Sequence, residues 1–205
     1  MSLNIESLNQ LHLDVLREIG NIGAGNAATA LAGILDKRID MNLPVVKILA
    51  FDDVTQILGG EETTVAGVYF RVEGDLSGNI MFLLDLDSCK ILINLLIQKD
   101  NRDNGLDEMD RSALQEIGNI LSGAYISALS SLTRLDLKIS IPSLSIDMAG
   151  AILSVPAIQF GHIGDKVLMI ETQLKEGSDL VKGHFFLIPD EESFPILLKS
   201  LGVYE

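Results

Sequence analysis

Residues 14–35 read DVLREIGNIGAGNAATALAGIL and residues 112–133 read SALQEIGNILSGAYISALSSLT, with EIGN repeated letter for letter at Glu18–Asn21 and Glu116–Asn119. The two stretches stand 98 positions apart in a chain of 205. Carried outward at that offset, Asp14–Ile48 aligns with Ser112–Ile146, and 11 of the 35 positions are identical. They include Leu16/Leu114, Ile22/Ile120, Gly25/Gly123, Leu31/Leu129 and Pro44/Pro142. A weaker match at offset 105 pairs residues 77–96 with 182–201, so seven extra residues are expected as loop insertions in the second half. The chain therefore reads as a single domain of two repeats, about 7–97 and 107–202, joined by the polar linker QKDNRDNG at 98–105.

Within each repeat the pattern runs helix, strands, short helix. Val15, Ile19, Ile22, Ala30 and Ile34 recur at helical spacing through about Leu35, behind a capping signal at Ser7-x-x-Gln10. Strand-like runs follow at 45–51, 63–72 and 78–86, then a helix over about 87–97. The second half opens on a helix that Asp107 can cap and that continues to about Leu132. Its expected strands are 142–146, 151–160, 166–174 and 184–188, with a last helix capped by Asp190 and ended before Gly202. Strands that follow one another without regular crossover helices favour antiparallel pairing. The expected fold is α+β, internally duplicated about a pseudo-twofold axis, with an antiparallel β-sheet core and two long motif-bearing helices. The pattern leaves open whether the halves share one sheet.

Composition narrows the function. Hydrophobic residues make up 47% and charged residues 21%, as in an ordinary globular chain. A net charge of -14 opposes binding to nucleic acid phosphates. The single cysteine, Cys89, permits no intrachain disulfide and reads as a small buried hydrophobe. No secretory signal opens the sequence, and no apolar run approaches the ~20 residues of a membrane helix, so a soluble cytoplasmic protein without membrane insertion is expected. His12, His162 and His184 are scattered without ligand spacing, so no metal site is expected. The glycines at 20, 23 and 25 follow a helical pattern in the wrong order for a dinucleotide loop.

The repeated helix carries a second message beside its core face. With Asp14 set at 0° and 100° per residue, Glu18, Asn21 and Gly25 fall within an arc of about 60°. Ser112, Glu116, Asn119 and Gly123 form the same stripe in the second half. A carboxylate and a carboxamide thus stand side by side, followed by a position with no side chain. Glycine inside a helix costs roughly 1 kcal/mol relative to alanine, so Gly25 and Gly123 suggest a surface kept clear for a docking partner. In one copy such a pair would read as a solvated face. Two diverged halves that both keep the polar pair away from the core point to function.

Asp14-x3-Glu18-x2-Asn21-x22-Pro44 and Ser112-x3-Glu116-x2-Asn119-x22-Pro142 resemble the doubled signature of the CheC/CheX/FliY phosphatases of bacterial and archaeal chemotaxis. The resemblance covers nearly the whole chain. It implies hydrolysis of the aspartyl phosphate of the response regulator CheY, with Asn21 and Asn119 orienting the attacking water and Glu18 and Glu116 anchoring the regulator's active-site lysine. It assigns no definite role to Asp14 and Ser112. Pro44 and Pro142 are expected to end the connection into a strand rather than to touch phosphate. The chain would need no cofactor of its own, since Mg²⁺ comes with phosphorylated CheY. The resemblance also implies binding to the receptor deamidase CheD, which would stimulate hydrolysis. Two alternatives stand beside the phosphatase: an adaptor that mainly binds and regulates CheD, and a flagellar-switch component. The short segment before the first repeat helix weighs against the last.

Overall fold

The computed structural model describes residues 9–42, 44–97, 105–160, 166–177, 179–190 and 192–201. The first half folds as α1 (Gln10–Leu35), β1 (Asp40–Met41), β2 (Val45–Ala50), α2 (Phe51–Ile57), β3 (Thr64–Gly74), β4 (Gly78–Asp85) and α3 (Leu86–Ile97). The second half repeats this element for element as α4 (Glu108–Thr133), β5 (Leu137–Ile139), β6 (Ser143–Met148), α5 (Ala149–Phe160), β7 (Lys166–Glu176), β8 (Asp179–Pro189) and α6 (Ser193–Ser200). Helices α1 and α4 are each 26 residues long.

The halves share one antiparallel sheet of eight strands, which settles what the periodicity left open. Its order is β1-β7-β8-β4-β3-β5, with β2 also paired to β7 and β6 to β3. Each half therefore gives its short leading strands to the other half's hairpin: Val46 lies opposite Ile170, and Leu144 opposite Val68. At the centre β4 pairs with β8, Phe82 facing Phe185 and Met81 facing Phe186.

Both faces of the sheet are covered, so β4 is buried along nearly its whole length and reads as one continuous apolar run rather than an alternating one. Helices α1, α3 and α4 lie on one face, where Leu16, Ile19, Leu114 and Ile117 pack with Phe82 and Phe185. On the other face Val54, Leu58, Ile152 and Leu153 of the α2 and α5 region cover Met81, Leu83, Met169 and Phe186. Because α1 and α4 occupy the same face, the dyad that relates the halves runs through the sheet and makes the two long helices antiparallel.

Four readings change at this level. Residues 151–160 form most of α5 and not a strand, since a short, mainly apolar run does not distinguish a buried strand from a buried helix. The sheet's second face needed cover, and α5 with α2 provides it. Much of the length difference between the halves also lies there, in a helix of twelve residues against seven, rather than only in loops. The cap of α1 is Asn9, whose side chain accepts from His12 N while His12 Nδ1 accepts from Asn9 N; Ser7 lies outside the described residues. The cap position of α6 is Glu192, without a side-chain cap, and not Asp190, whose carbonyl accepts from Ser193 and Phe194 N and whose carboxylate lies 3.4 Å from Arg71. Asp107 caps α4 as expected, and most of the linker and Gly202 lie outside the described residues.

His184 on β8 faces the α2 side, opposite Leu83 and Glu171. Burial pushes its pKa below 6.5 against the pull of Glu171 and Asp85, and Lys47 and Lys182 add to the depression. The folded state thus holds it neutral, while the unfolded chain takes up a proton near 6.5. Its contribution to stability is complete above that pH and declines as pH falls. Glu171, held down by Lys47 at 3.0 Å, acts only at lower pH, below about 4.5. The melting temperature is expected to fall between pH 7.5 and 5.5, and His184→Gln to flatten part of that slope; an unchanged slope would remove His184 from the account.

Candidate active site

The two long helices present the repeated stripe because their opposite sides are committed to the core. Leu16 and Ile19 on α1, and Leu114 and Ile117 on α4, are nearly inaccessible. Glu18 and Glu116 point outward and are exposed, as are Asp14 and Ser112. Among the described residues neither glutamate has a hydrogen-bond or ion-pair partner.

The glycines of these helices fall into two kinds. At Gly20 an added Cβ would meet Ile170 at 3.4 Å and Pro44 at 3.5 Å, and at Gly118 it would meet Val68 at 2.7 Å. These residues let the helices sit close on the sheet. At Gly23 it would lie 2.6 Å from the Tyr125 ring, where α1 meets α4. That ring is stacked on Phe185 at 4.3 Å and its hydroxyl hydrogen-bonds Thr172 at 2.6 Å, so it has little freedom to yield. At Gly25 and Gly123, by contrast, nothing lies within 4 Å. No packing requirement explains those two.

Pro44 and Pro142 immediately precede β2 and β6, in keeping with a role at strand entry. Pro44 is buried against Gly20 of the motif itself, which ties the 22-residue spacing to packing and takes Pro44 out of the exposed stripe.

The two stripes differ in detail. Asn21 is half-buried, and its Oδ1 is buried without a hydrogen-bond partner among the described residues, whereas Asn119 is exposed. An unpaired buried acceptor costs about 1–3 kcal/mol. Beside the first stripe Arg17 approaches Asp14 to 2.6 Å, and Gln10 donates to the same oxygen at 3.0 Å. In the second half Ser112 and Gln115 hold those positions, so that pair is missing. Both partners of the Arg17–Asp14 pair are about half exposed, and such pairs add little to stability.

The sequence reading missed the residue that begins each stripe. Leu11 and Met109, 98 positions apart, are 59% and 64% exposed at the start of the two helices. The signal was available, a large apolar residue three positions before Asp14 and Ser112 on the same helix face, but it lies outside the repeated EIGN signature and its identity differs between the halves.

Elsewhere, burial pushes the Cys89 thiol up to about 12, which leaves no thiolate near neutral pH. Among the described residues no group of three or more His, Cys, Asp or Glu side chains is arranged so that it could hold a metal ion. A groove of about 380 Å³ lined by Tyr69, Ser145, Asp147, Ile152 and Val155 lies on the α5 side, and no stripe residue lines it. Glu18, Glu116 and Asn119 are exposed and the space above Gly25 and Gly123 is open, which suits a macromolecular partner.

With this geometry in place, the CheC-like family matches residues 11–48 and 109–146, each span holding one complete stripe with its proline. The chain is 39% identical over 200 residues to the CheY-P phosphatase CheC of Bacillus subtilis (strain 168), covering 95% of this chain and 96% of the relative. The chain belongs to the CheC-like family. The fold of this CheC-like protein also matches Thermotoga maritima FliY, with a TM-score of 0.76 and 23% identity over 96% of this chain and 98% of that one. A more distant match is CheX in its crystal structure with CheY, BeF3 and Mg²⁺ from Borrelia burgdorferi, with a TM-score of 0.52 and 15% identity over 84% of this chain and 97% of that one.

The two kinds of glycine in the CheC-like helices should separate on mutation. Gly23→Ala and Gly118→Ala are expected to cost about 1–3 kcal/mol through overpacking. Gly25→Ala and Gly123→Ala should instead leave stability unchanged or raise it by up to about 1 kcal/mol. Urea denaturation of the four variants checks this, and a Gly25→Ala loss as large as that of Gly23→Ala would contradict it.

Proposed function

We propose that this CheC-like protein is a phosphatase that hydrolyses the aspartyl phosphate of the response regulator CheY, acting in the cytoplasm. The observation that carries the reading is the near-full-length match to a CheY-P phosphatase. The exposed glutamate and asparagine, set on two helices beside an uncovered glycine, support it.

The chemistry asks little of this chain. An acyl phosphate is already reactive, and the receiver brings the Mg²⁺ and lysine that neutralise its charge. What remains is to hold a water in line with the breaking bond. The water oxygen attacks phosphorus, the bond to the aspartyl oxygen breaks, and the regulator's carboxylate leaves together with inorganic phosphate as product. Asn21 and Asn119 supply the alignment. A neutral amide donates through Nδ2 and accepts through Oδ1, so it can orient water with no shifted pKa. At Asn21 the unpartnered Oδ1 is an acceptor that receiver or water can satisfy on docking. Glu18 and Glu116 pair with the receiver lysine, and the open space at Gly25 and Gly123 admits the partner's surface.

CheD is a second partner, and it raises the hydrolysis rate; phosphate release with and without CheD tests this separately.

The central test is phosphate release from Mg²⁺-loaded CheY-phosphate with substoichiometric protein. Asn21→Ala and Asn119→Ala should each remove part of the acceleration, and the double variant should return to the spontaneous rate. A loss of about a hundredfold corresponds to about 2.7 kcal/mol of barrier. A double variant as fast as wild type would reduce the stripes to docking surfaces and favour the adaptor.

A further inference from the structure

The motif accounts for four positions of each stripe and leaves the first unexplained. Leu11 precedes Asp14 by three residues and Glu18 by seven, and Met109 stands in the same relation to Ser112 and Glu116. That spacing puts each on the helix face that carries the motif. Both are among the most exposed large apolar side chains of the described residues, at 59% and 64%. Such a side chain adds little to folding while it faces water, and its removal should change stability by no more than about 0.5 kcal/mol. Yet both halves place an apolar residue at this position while its identity differs.

A second duplicated pair provides a contrast. Ile34 and Leu132 are also 98 positions apart and exposed, at 52% and 40%. They stand nine residues beyond Gly25 and Gly123, which turns them about 180° away from the stripe. Exposure alone is thus not confined to the stripe. What distinguishes Leu11 and Met109 is continuity with the polar pair and the uncovered glycine.

Resting on the phosphatase reading, we propose that Leu11 and Met109 are the apolar anchors by which each motif helix holds the phosphorylated receiver, setting affinity and not the alignment of water. The occupant is the receiver because the same helix face carries the groups that enter its active site. Burying one such side chain supplies a nonpolar contact that is insensitive to charge, useful where an acidic chain meets an acidic phosphorylated site. Met109, unbranched and polarizable, supplies the same kind of apolar contact as Leu11.

Two sites in one chain require that each anchor be tested alone. Leu11→Ser is placed in the Asn119→Ala background, Met109→Ser in the Asn21→Ala background, and Ile34→Ser in the wild type. Each is measured by steady-state hydrolysis and by calorimetric titration with the beryllofluoride-activated receiver and Mg²⁺. An anchor role predicts KM and Kd raised about fivefold or more with kcat within about twofold, and no effect of Ile34→Ser. Unchanged affinity, a fall in kcat at constant KM, or an equal loss with Ile34→Ser would each overturn the proposal. So would a wild-type dimer that Leu11→Ser converts to monomer, since a second copy would then be the occupant. If the wild type hydrolyses nothing but Leu11→Ser still weakens binding of the activated receiver, the phosphatase reading fails and the anchor stands. If the wild type fails to bind the receiver, both fall.

Discussion

The pairing of β4 with β8 is the interaction on which the rest of the architecture depends. It joins two homologous halves edge to edge, with Phe82 set against Phe185 and Met81 against Phe186, and so makes one sheet from two repeats. Once that seam exists, β1 and β2 can extend the second half's hairpin while β5 and β6 extend the first's. Neither half keeps a complete sheet of its own. The same seam fixes α1 and α4 on a common face, antiparallel, each with its outer stripe turned to solvent.

Glycine then sets how closely the layers approach. Gly20 and Gly118 bring the helices down onto Ile170 and Val68, and Gly23 brings α1 against the Tyr125 ring. These contacts lie on the inner side of the motif, beneath Glu18, Asn21 and their counterparts. The proposed role of the asparagines, holding a water against a partner's phosphoryl group, would need a rigid base, and the close-packed glycines provide one. Gly25 and Gly123 work in the opposite sense, by keeping the outer side low. One residue type thus serves packing and access within two helical turns.

Much of this was legible in the sequence, for reasons that differ from element to element. The long helices followed from regular apolar spacing, and the duplication from the exact recurrence of EIGN at 98 positions. Strands 64–74 and 78–85 were readable because β-branched and aromatic residues cluster there. Residues 151–160 were misread because a sheet buried on both faces needs apolar cover, and an apolar helix over a sheet resembles a strand within one. The short α2, seven residues with a mixed polar sequence, carries too little periodicity to be read as a helix. The strand exchange between halves was not legible, since pairing partners depend on the shared seam and not on local pattern. At the candidate site the polar pair stood out because it was written twice, while Leu11 and Met109, which differ in identity and lie outside the EIGN signature, became visible only through their exposure.

If the two stripes are the working surface, engagement of the activated receiver should leave its mark on them and not on the far side of the sheet. Hydrogen exchange in the presence and absence of beryllofluoride-activated CheY and Mg²⁺ measures this directly. Slowed exchange in peptides spanning residues 11–25 and 109–123, with α5 unchanged, is the expected result. Protection confined to α2 and α5, with both stripes exchanging as in the free protein, would contradict the assignment of the EIGN helices as the site of action.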